Sequence, residues 1–218
     1  MVLHGRINHK GDDMSLIQTV APTVEPVDLA EIKLFLRLST VVTTEDTLLT
    51  AYQKVARKQA ENYMHRQVNK ATWELSLDIF PSSAILLPRG PLLSTAVSIG
   101  YTDSSYSTQT VDTTFIKVDQ ANTIPRVYPS FNSSNENVWA DLDVADIPNV
   151  IKLTYITGYS SVVSTATTSV PDEIKQYIKL RVGTMYKYRE TVTIDQYRRI
   201  PNDFHVGLLD AYVIEEII

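Results

Sequence analysis

The chain has 218 residues, 44% of them hydrophobic and 21% charged, a composition typical of a globular protein rather than a disordered one. The formal net charge of −5 disfavours a protein whose main role is to grip nucleic acid phosphates. The absence of cysteine excludes disulfide frameworks, thiolate metal sites and cysteine nucleophiles, and it suits a reducing cytoplasm.

The N-terminal segment, residues 1–13, is polar and shows no hydrophobic periodicity, and we expect residues 1–20 to form a flexible tail. It contains no apolar region of the kind found in signal peptides. The longest apolar runs, such as Ala84–Leu87, fall far short of the roughly 20 residues needed to cross a bilayer. We therefore expect a soluble intracellular protein with no membrane partner.

Two helices are predicted within residues 21–70. Asp28, with Glu31 three positions later, makes a capping-box pattern, and the apolar face that follows predicts a helix ending near Leu38. A longer helix is predicted from about Glu45 to Arg66, where apolar residues keep a 3.6-residue period. The face opposite that apolar stripe is expected to be solvated and carries Lys54, Arg57, Lys58, Glu61 and Arg66.

The period changes to two within residues 71–160. Trp73, Leu75, Leu77 and Ile79 alternate with polar residues, as in a half-buried strand. Further strands are predicted near residues 84–87, 96–102, 110–118, 126–128 and 150–157, separated by turns rich in proline, serine and asparagine. This region is predicted to be an antiparallel β module, either a small barrel or a sandwich.

A third helix is predicted after a polar hinge at residues 160–169. Pro171 suits a first helical position, the acidic residues after it suit the helix dipole, and the pattern ends near Glu190. The segment 191–218 ends with the largely apolar sequence FHVGLLDAYVIEEII, which predicts that it docks either onto its own core or onto a neighbour.

These elements predict an α+β fold with four parts. A helical bundle of three main helices comes from residues 21–70 and 165–190, and the β module is inserted at 71–160. A flexible tail precedes them at residues 1–20, and an extended C-terminal docking tail follows at 191–218.

No motif for catalysis is present. The chain has no nucleophile elbow, glycine-rich phosphate loop or HExxH helix, and only seven glycines. The carboxylates of Asp141, Asp143 and Asp146 lack the glycine and glutamate of an EF-hand, so we interpret them as a solvated acidic loop. His4 and His9 are interpreted as solvated. We expect no enzyme activity, no cofactor and no metal.

Charge is distributed unevenly along the chain. Residues 71–157 carry nine acidic and four basic residues, whereas residues 170–199 carry seven basic and four acidic ones. This asymmetry predicts complementary surfaces between subunits or partners, the alternative being ordinary solvated faces. Tyr188 and Tyr197 are flanked by charges and are candidates for an interface, where tyrosine is enriched.

Seven stretches, taken in chain order over roughly residues 15–214, resemble the head–tail connector family, the adaptor or head-completion proteins of tailed bacteriophages. They are VDLAEIKLFLRL, ARKQAENYMHR, TWELSLDIFP, ILLPRGPLLSTAVSIGYTD, VIKLTYITGY, VPDEIKQYIKLRVGTMYKYRE and IPNDFHVGLLDAYVI. Two departures from the family pattern are the Asn/Ser-rich loop around residues 131–137 and the acidic IEEII end.

The resemblance implies a structural, non-enzymatic protein of the virion neck, assembled in the host cytoplasm. It implies a homo-oligomeric ring of about twelve copies under closed cyclic symmetry. Such a ring docks on the portal protein, extends the channel for genomic double-stranded DNA without sequence-specific contacts, and offers a platform to head-closure (stopper) or tail proteins. The alternatives are another neck or tail component, such as a head-closure or tail-terminator protein, and a non-viral binding domain.

Three groups of candidate site residues follow. Portal contact is expected at Phe204, Val206, Leu208, Leu209, Tyr212 and Val213. Inter-subunit contact is expected at Lys54, Arg57, Lys58, Arg181, Tyr188, Arg189, Tyr197 and Arg198. The loops that face a stopper or tail protein are expected at Asp103, Asn132, Asn135 and Asp141. Deleting residues 204–218 is expected to abolish portal binding and to leave the monomer folded.

Overall fold

The fold is mixed α+β, with three helices and antiparallel sheets, as expected from the sequence. The computed structural model describes residues 14–131, 137–159, 170–188 and 206–214. These residues form two compact units. One is a β unit from residues 14–22 and 70–158, and the other is a helical unit from residues 23–69, 159, 170–188 and 206–214. The expected hinge at residues 160–169 lies outside the described residues.

The β unit contains two antiparallel sheets. In chain order its strands are β1 (Ser15–Val20), β2 (Ala71–Leu77), β3 (Ile85–Leu86), β4 (Ser98–Thr102), β5 (Thr108–Thr110), β6 (Ile116–Asp119), β7 (Arg126–Pro129) and β8 (Ile151–Thr157). The five-stranded sheet has the order β1-β2-β8-β4-β5, and the three-stranded sheet has the order β3-β7-β6. In the larger sheet β1 pairs with β2 and β4 pairs with β5, and β8 returns from the end of the β unit to lie between β2 and β4.

A single hydrophobic core joins the two sheets. Trp73, Leu75 and Leu77 of β2 are buried, and they pack with Leu153 and Tyr155 of β8. The alternation predicted for this strand is thus correct up to Leu77. It ends there, because Ile79 lies beyond the strand and 57% of its surface is exposed.

Two strand predictions differ from the structure for local reasons. Residues 15–20, expected in the flexible tail, form β1, which pairs with β2 in the register Ser15 to Ser76. The strand predicted near residues 110–118 is broken by a 3₁₀ turn at Thr113–Phe115. The carboxylate of Asp112 caps that turn by accepting from the backbone N–H of Thr114 at 2.8 Å, which favours the turn over continued extension.

The helical unit consists of α1 (Leu29–Phe35), α2 (Asp46–Met64), α3 (Asp172–Lys187) and the segment 206–214. Its core includes Ile32, Leu49, Ala60, Ile178 and Val182. Gly183 lets α1 approach α3 closely, because a Cβ there would lie 3.2 Å from the Cε1 of Phe35.

The capping of α1 agrees only in part with the predicted capping box. The Asp28 side chain accepts from the backbone N–H of Ala30 at 2.8 Å, so the N-cap is confirmed. Glu31 instead accepts from the Nζ of Lys179 on α3 at 2.9 Å. Because α3 supplies a charged partner, the carboxylate of Glu31 ties two helices together.

Candidate assembly surfaces

The segment 206–214 lies against the helical unit of its own chain. Leu209 is fully buried in the core, and Ile214 is 8% exposed. The backbone N–H of Ile214 donates to the carbonyl oxygen of Met64, at the end of α2, at 3.0 Å. The Nε of Arg66 donates to the carbonyl oxygen of Tyr212 at 2.6 Å. The segment is therefore held by its backbone as well as by its apolar side chains.

Two tyrosine hydroxyls add contacts to this segment. The hydroxyl of Tyr63 donates to Asp210 at 2.7 Å, and that of Tyr212 donates to Glu173, in the first turn of α3, at 2.9 Å. Partial burial and then the neighbouring Glu173 raise the pKa of Tyr212 to about 12. The hydrogen bond to Asp210 raises the pKa of Tyr63. Both hydroxyls are thus held as donors.

The expectation of a projecting C-terminal arm is therefore corrected for residues 206–214. The sequence left open whether this apolar text packs on its own core or on a neighbour, and the structure places it on its own core. Leu209 is not accessible, because it fills that core. The other candidates within the segment are half-buried and keep a partly open face: Val206, Leu208, Tyr212 and Val213. Phe204 lies outside the described residues, and the contact with a portal stays a prediction.

Arg57 belongs to an internal ion-pair network and not to the outer face of α2. Its Nε lies 2.8 Å from the carboxylate of Glu25, and its Nη1 lies 2.9 Å from Glu61, one helical turn further on. Arg57 is 7% exposed and Glu61 is 1% exposed. Polarity alone predicts both residues on a solvated face and Arg57 among the inter-subunit contacts, but the structure buries both, because each charge meets an opposite charge inside the unit. Little of Arg57 is therefore accessible to a neighbouring subunit.

The network extends to the chain on both sides of α2. Glu61 accepts from the amide nitrogen of Gln67 at 2.6 Å and from the backbone N–H of Val68 at 3.2 Å. Burial raises the pKa of Glu61, although Arg57 opposes this effect. Burial by itself would lower the pKa of Arg57, but the two carboxylates outweigh it and raise the pKa. These contacts fix residues 25, 67 and 68 to one helix face.

The remaining candidates for inter-subunit contact lie on or near helix surfaces. Lys54 is exposed and Lys58 is half-buried, while the Nε of Arg181 donates to the side chain of Gln59 at 2.9 Å. Tyr188 is 37% exposed, with the Nζ of Lys187 lying 5.3 Å from its ring centre. Arg189, Tyr197 and Arg198 lie outside the described residues. Contact between subunits through these residues stays a prediction.

A buried lysine, which no sequence pattern indicates, shapes the loop after α1. The Nζ of Lys33 lies 2.5 Å from Asp46 and donates to the carbonyl oxygen of Val42 at 2.8 Å. Lys33 is only 4% exposed, whereas Val41 beside the loop carbonyl is 85% exposed. No local pattern marks Lys33, because its partners lie beyond the end of its own helix. The loop is thereby held with an apolar side chain outward.

The loop at Asp103 is ordered by its own carboxylate. Asp103 accepts from the backbone N–H groups of Ser105 and Ser107, both at 2.9 Å, and from Gln109 at 2.8 Å. The bond from Gln109 and then the one from Ser107 lower the pKa of Asp103. Asp141 is exposed at the end of a 3₁₀ turn, Val138–Asp141. Asn132 and Asn135 lie outside the described residues, and a contact of these loops with a stopper or tail protein stays a prediction.

Neither metal-ligating clusters nor membrane-spanning helices occur in the described part of the chain. No group of three or more His, Cys, Asp or Glu side chains there could hold a metal ion. No helix among those residues is long and apolar enough to cross a bilayer.

Comparison with solved structures finds the same fold in particles called gene transfer agents (GTA). A chain in the neck of an empty GTA particle, computed with C6 symmetry, matches with a TM-score of 0.72 and 16% identity, over 93% of this chain and 97% of that one. A chain in the virion of a native GTA particle matches with a TM-score of 0.70, and one in a neck computed with C12 symmetry matches with 0.63, at 16% and 14% identity and the same coverage.

Comparisons of sequence find no match. No protein-family model matches the chain, and no curated protein matches it. At this level of identity the structural likeness establishes the fold.

Proposed function

We propose that this chain is a structural, non-enzymatic component of the neck of a tailed-phage-like particle. The observation that carries the proposal is the extent of the structural match. A neck chain of a GTA particle shares the fold over 93% of this chain and 97% of its own length, so both units are matched together. Fold alone does not specify function, but a match that extends over both units is more specific than a match to one common domain.

Within the neck, we propose the role of adaptor, a homo-oligomeric ring of about twelve copies related by cyclic symmetry. The ring docks on the portal, surrounds the DNA channel without reading sequence, and provides a platform for head-closure or tail proteins. The order of the seven sequence stretches supports this role, and the neck structures that share the fold were computed with C6 and C12 symmetry. Many copies of one weak contact add up to firm attachment.

The open face of the segment 206–214 is proposed to meet the portal. Val206 and Val213 are half-buried apolar residues at its two ends, on a segment that Leu209 anchors to the core. An anchored segment presents these side chains with little loss of entropy on binding, which favours recognition. The chain thus uses one side of the segment for its own core and the other for a partner.

Electron microscopy of the protein mixed with its cognate portal rings tests this role. We expect extra density at one end of the portal ring, and we expect Val206→Glu and Val213→Glu to remove it. Thr184→Glu, an exposed change on α3, is the control and should leave it unchanged. Circular dichroism confirms that each variant is folded.

Two results would contradict the proposal. If the wild-type protein does not bind portal rings but binds the end of purified tails, its role is that of a tail-terminator or head-closure protein. Wild-type protein that binds neither would exclude the neck role. Deletion of residues 204–218 is unsuitable as a test, because it removes Leu209 from the core, and we therefore expect the deleted monomer to be destabilised.

A further inference from the structure

An open groove lies at one end of the three-stranded sheet in the β unit. It has a volume of about 420 Å³ and is lined mainly by residues of β6, β7 and their flanks, among them Phe115, Pro129, Phe131 and Val138. Phe115 is 39% exposed and Phe131 is 59% exposed. Two exposed aromatic rings that line the same groove form an apolar patch, and such patches are typical of a surface that a partner covers.

Lys117 gives this groove its charge. It is the single charged residue among the described residues that line the groove, and it is exposed on β6. Its ammonium group makes no ion pair or hydrogen bond with another residue in the part of the chain that the structure describes, whereas its backbone belongs to the β6–β7 ladder. A ligand for this groove therefore combines apolar side chains with a carboxylate.

The backbone beside the groove is also open to a partner. β6 is the outer strand in the order β3-β7-β6, so one of its edges carries no neighbouring strand among the described residues. Such an edge binds an extended peptide by main-chain hydrogen bonds, while neighbouring pockets select its side chains. The groove and the free edge together fit an extended strand rather than a helix.

The segment 215–218, Glu-Glu-Ile-Ile, has the matching chemistry. With Val213 and Ile214 it forms a run in which four of six residues are β-branched and two are acidic, a composition that favours strand. Because side chains alternate in a strand, each face of residues 215–218 would present one glutamate and one isoleucine. Either face thus offers a carboxylate for Lys117 and an apolar side chain for the phenylalanines.

The chain leads into this segment in the right conformation. Val213 has extended backbone angles, φ −66 and ψ 129, directly after the 3₁₀ turn at Asp210–Tyr212. Ile214 is fixed to α2 through the hydrogen bond to Met64. Residues 215–218 span about 13 Å when extended, close to the length of the four-residue strand β6.

The other sheet edges in the described residues suit this segment less well. β5 has three exposed residues, Thr-Gln-Thr, and therefore carries no cation to pair with a glutamate. β1 has no charged residue in it, and β3 has only two residues. On β6 the nearby Asp119 is engaged in its own turn, where it accepts from the backbone N–H of Ala121 at 2.9 Å.

We propose that residues 215–218 of one copy bind, as an added strand, in the Phe115–Phe131 groove of a neighbouring copy and pair there with Lys117. The assignment to a neighbouring copy rests on the proposed ring. A cyclic ring needs a heterologous contact, in which one surface of a subunit meets a different surface of the next. The C-terminal segment of one subunit and the groove of the next subunit are two such surfaces.

Peptide binding tests the groove. A fluorescent peptide of residues 211–218 is titrated into the full-length protein and followed by anisotropy. We expect saturable binding that Lys117→Glu weakens at least tenfold and that a peptide with lysine at positions 215 and 216 restores to this variant. Lys70→Glu, the same charge change at another exposed lysine of the β unit, is the matched control and should leave binding unchanged. Absence of saturable binding, or equal loss in both variants, overturns the proposal.

Cross-linking tests whether the segment comes from another copy. The chain has no cysteine, so Lys117→Cys and Glu216→Cys protein can be mixed and oxidised without a background thiol. Covalent heterodimers should exceed those from a Lys70→Cys and Glu216→Cys mixture. Equal yields, or cross-linking within a dilute Lys117→Cys/Glu216→Cys double variant instead, overturn the assignment to a neighbour. If both experiments fail while the protein still binds portal rings, this inference alone fails; if they succeed while it binds no neck component, the proposed function fails.

Discussion

Ile214 donates its backbone N–H to the carbonyl oxygen of Met64, which joins the end of the described chain to the end of α2, 150 positions earlier in the sequence. This bond satisfies a carbonyl in the last turn of a helix, where intrahelical partners are missing. Beside it, Leu209 fills the core formed by α2 and α3. The segment 206–214 is therefore part of the helical unit.

Replacing Leu209 by alanine should lower the free energy of unfolding by about 2–5 kcal/mol, because it leaves a cavity in a packed core. Urea unfolding of the full-length protein measures the loss. Thr184→Ala, at an exposed site on α3, is the control and should change stability by less than about 0.5 kcal/mol. A Leu209→Ala protein as stable as wild type would show that the segment does not belong to the core in solution.

Replacing Arg57 by methionine should destabilise the protein by about 3–5 kcal/mol, because the buried Glu61 and the half-buried Glu25 are left without their counter-charge. Lys54→Met, on the exposed side of the same helix, should have little effect. The double variant Arg57→Met/Glu61→Gln should recover part of the loss, since one uncompensated carboxylate is removed. If the free-energy changes of the single variants Arg57→Met and Glu61→Gln simply add up to that of the double variant, the network is not coupled.

Replacing Lys33 by methionine should release the loop at residues 37–45. The ammonium of Lys33 binds Asp46 and the carbonyl oxygen of Val42, so its loss removes charge-assisted bonds worth about 1.5–3 kcal/mol. Hydrogen exchange should accelerate in this loop and at the start of α2. Lys70→Met is the control at an exposed lysine, and equal exchange in both variants would argue against this role for Lys33.

Stability should fall at alkaline pH partly through Tyr212. Its pKa is about 12 in the folded protein, against 10.0 as its ordinary value, so the folded state holds the phenol proton more tightly. The stabilisation is fully present below pH 10 and is lost as the pH rises towards 12. Urea unfolding at a series of pH values should therefore show a smaller alkaline decline in Tyr212→Phe than in wild type. Tyr63 is unchanged in both proteins, so an identical decline would assign the effect to other groups.

The helices and most strands could be predicted because their signals are local. The 3.6-residue period of α2 and the alternation in β2 follow from which side chains face a core. The strand β1 cannot be predicted from its own residues, because it is stabilised by pairing with β2, more than fifty positions later in the sequence. A strand whose partner is distant gives only a weak local pattern.

The candidate surfaces were harder to predict, for an energetic reason. The sequence shows that Arg57 is charged but not that Glu25, 32 residues earlier, neutralises it. The same holds for Lys33, whose burial depends on Asp46. Polarity alone assigns such residues to solvent, and the error appears wherever opposite charges meet inside a unit.

The order of the chain also sets an order for its synthesis. The strands of the β unit lie within residues 15–157, so all of them emerge from the ribosome before α3 does. The helical unit must wait much longer, because its core is incomplete until Leu209 has emerged. During that interval α1 and α2 expose the apolar faces that α3 and the segment 206–214 later cover. A nascent chain stalled before residue 206 should therefore carry a folded β unit and an incomplete helical unit. The exposed apolar surface of α1 and α2 in that chain is the kind of surface that a chaperone binds.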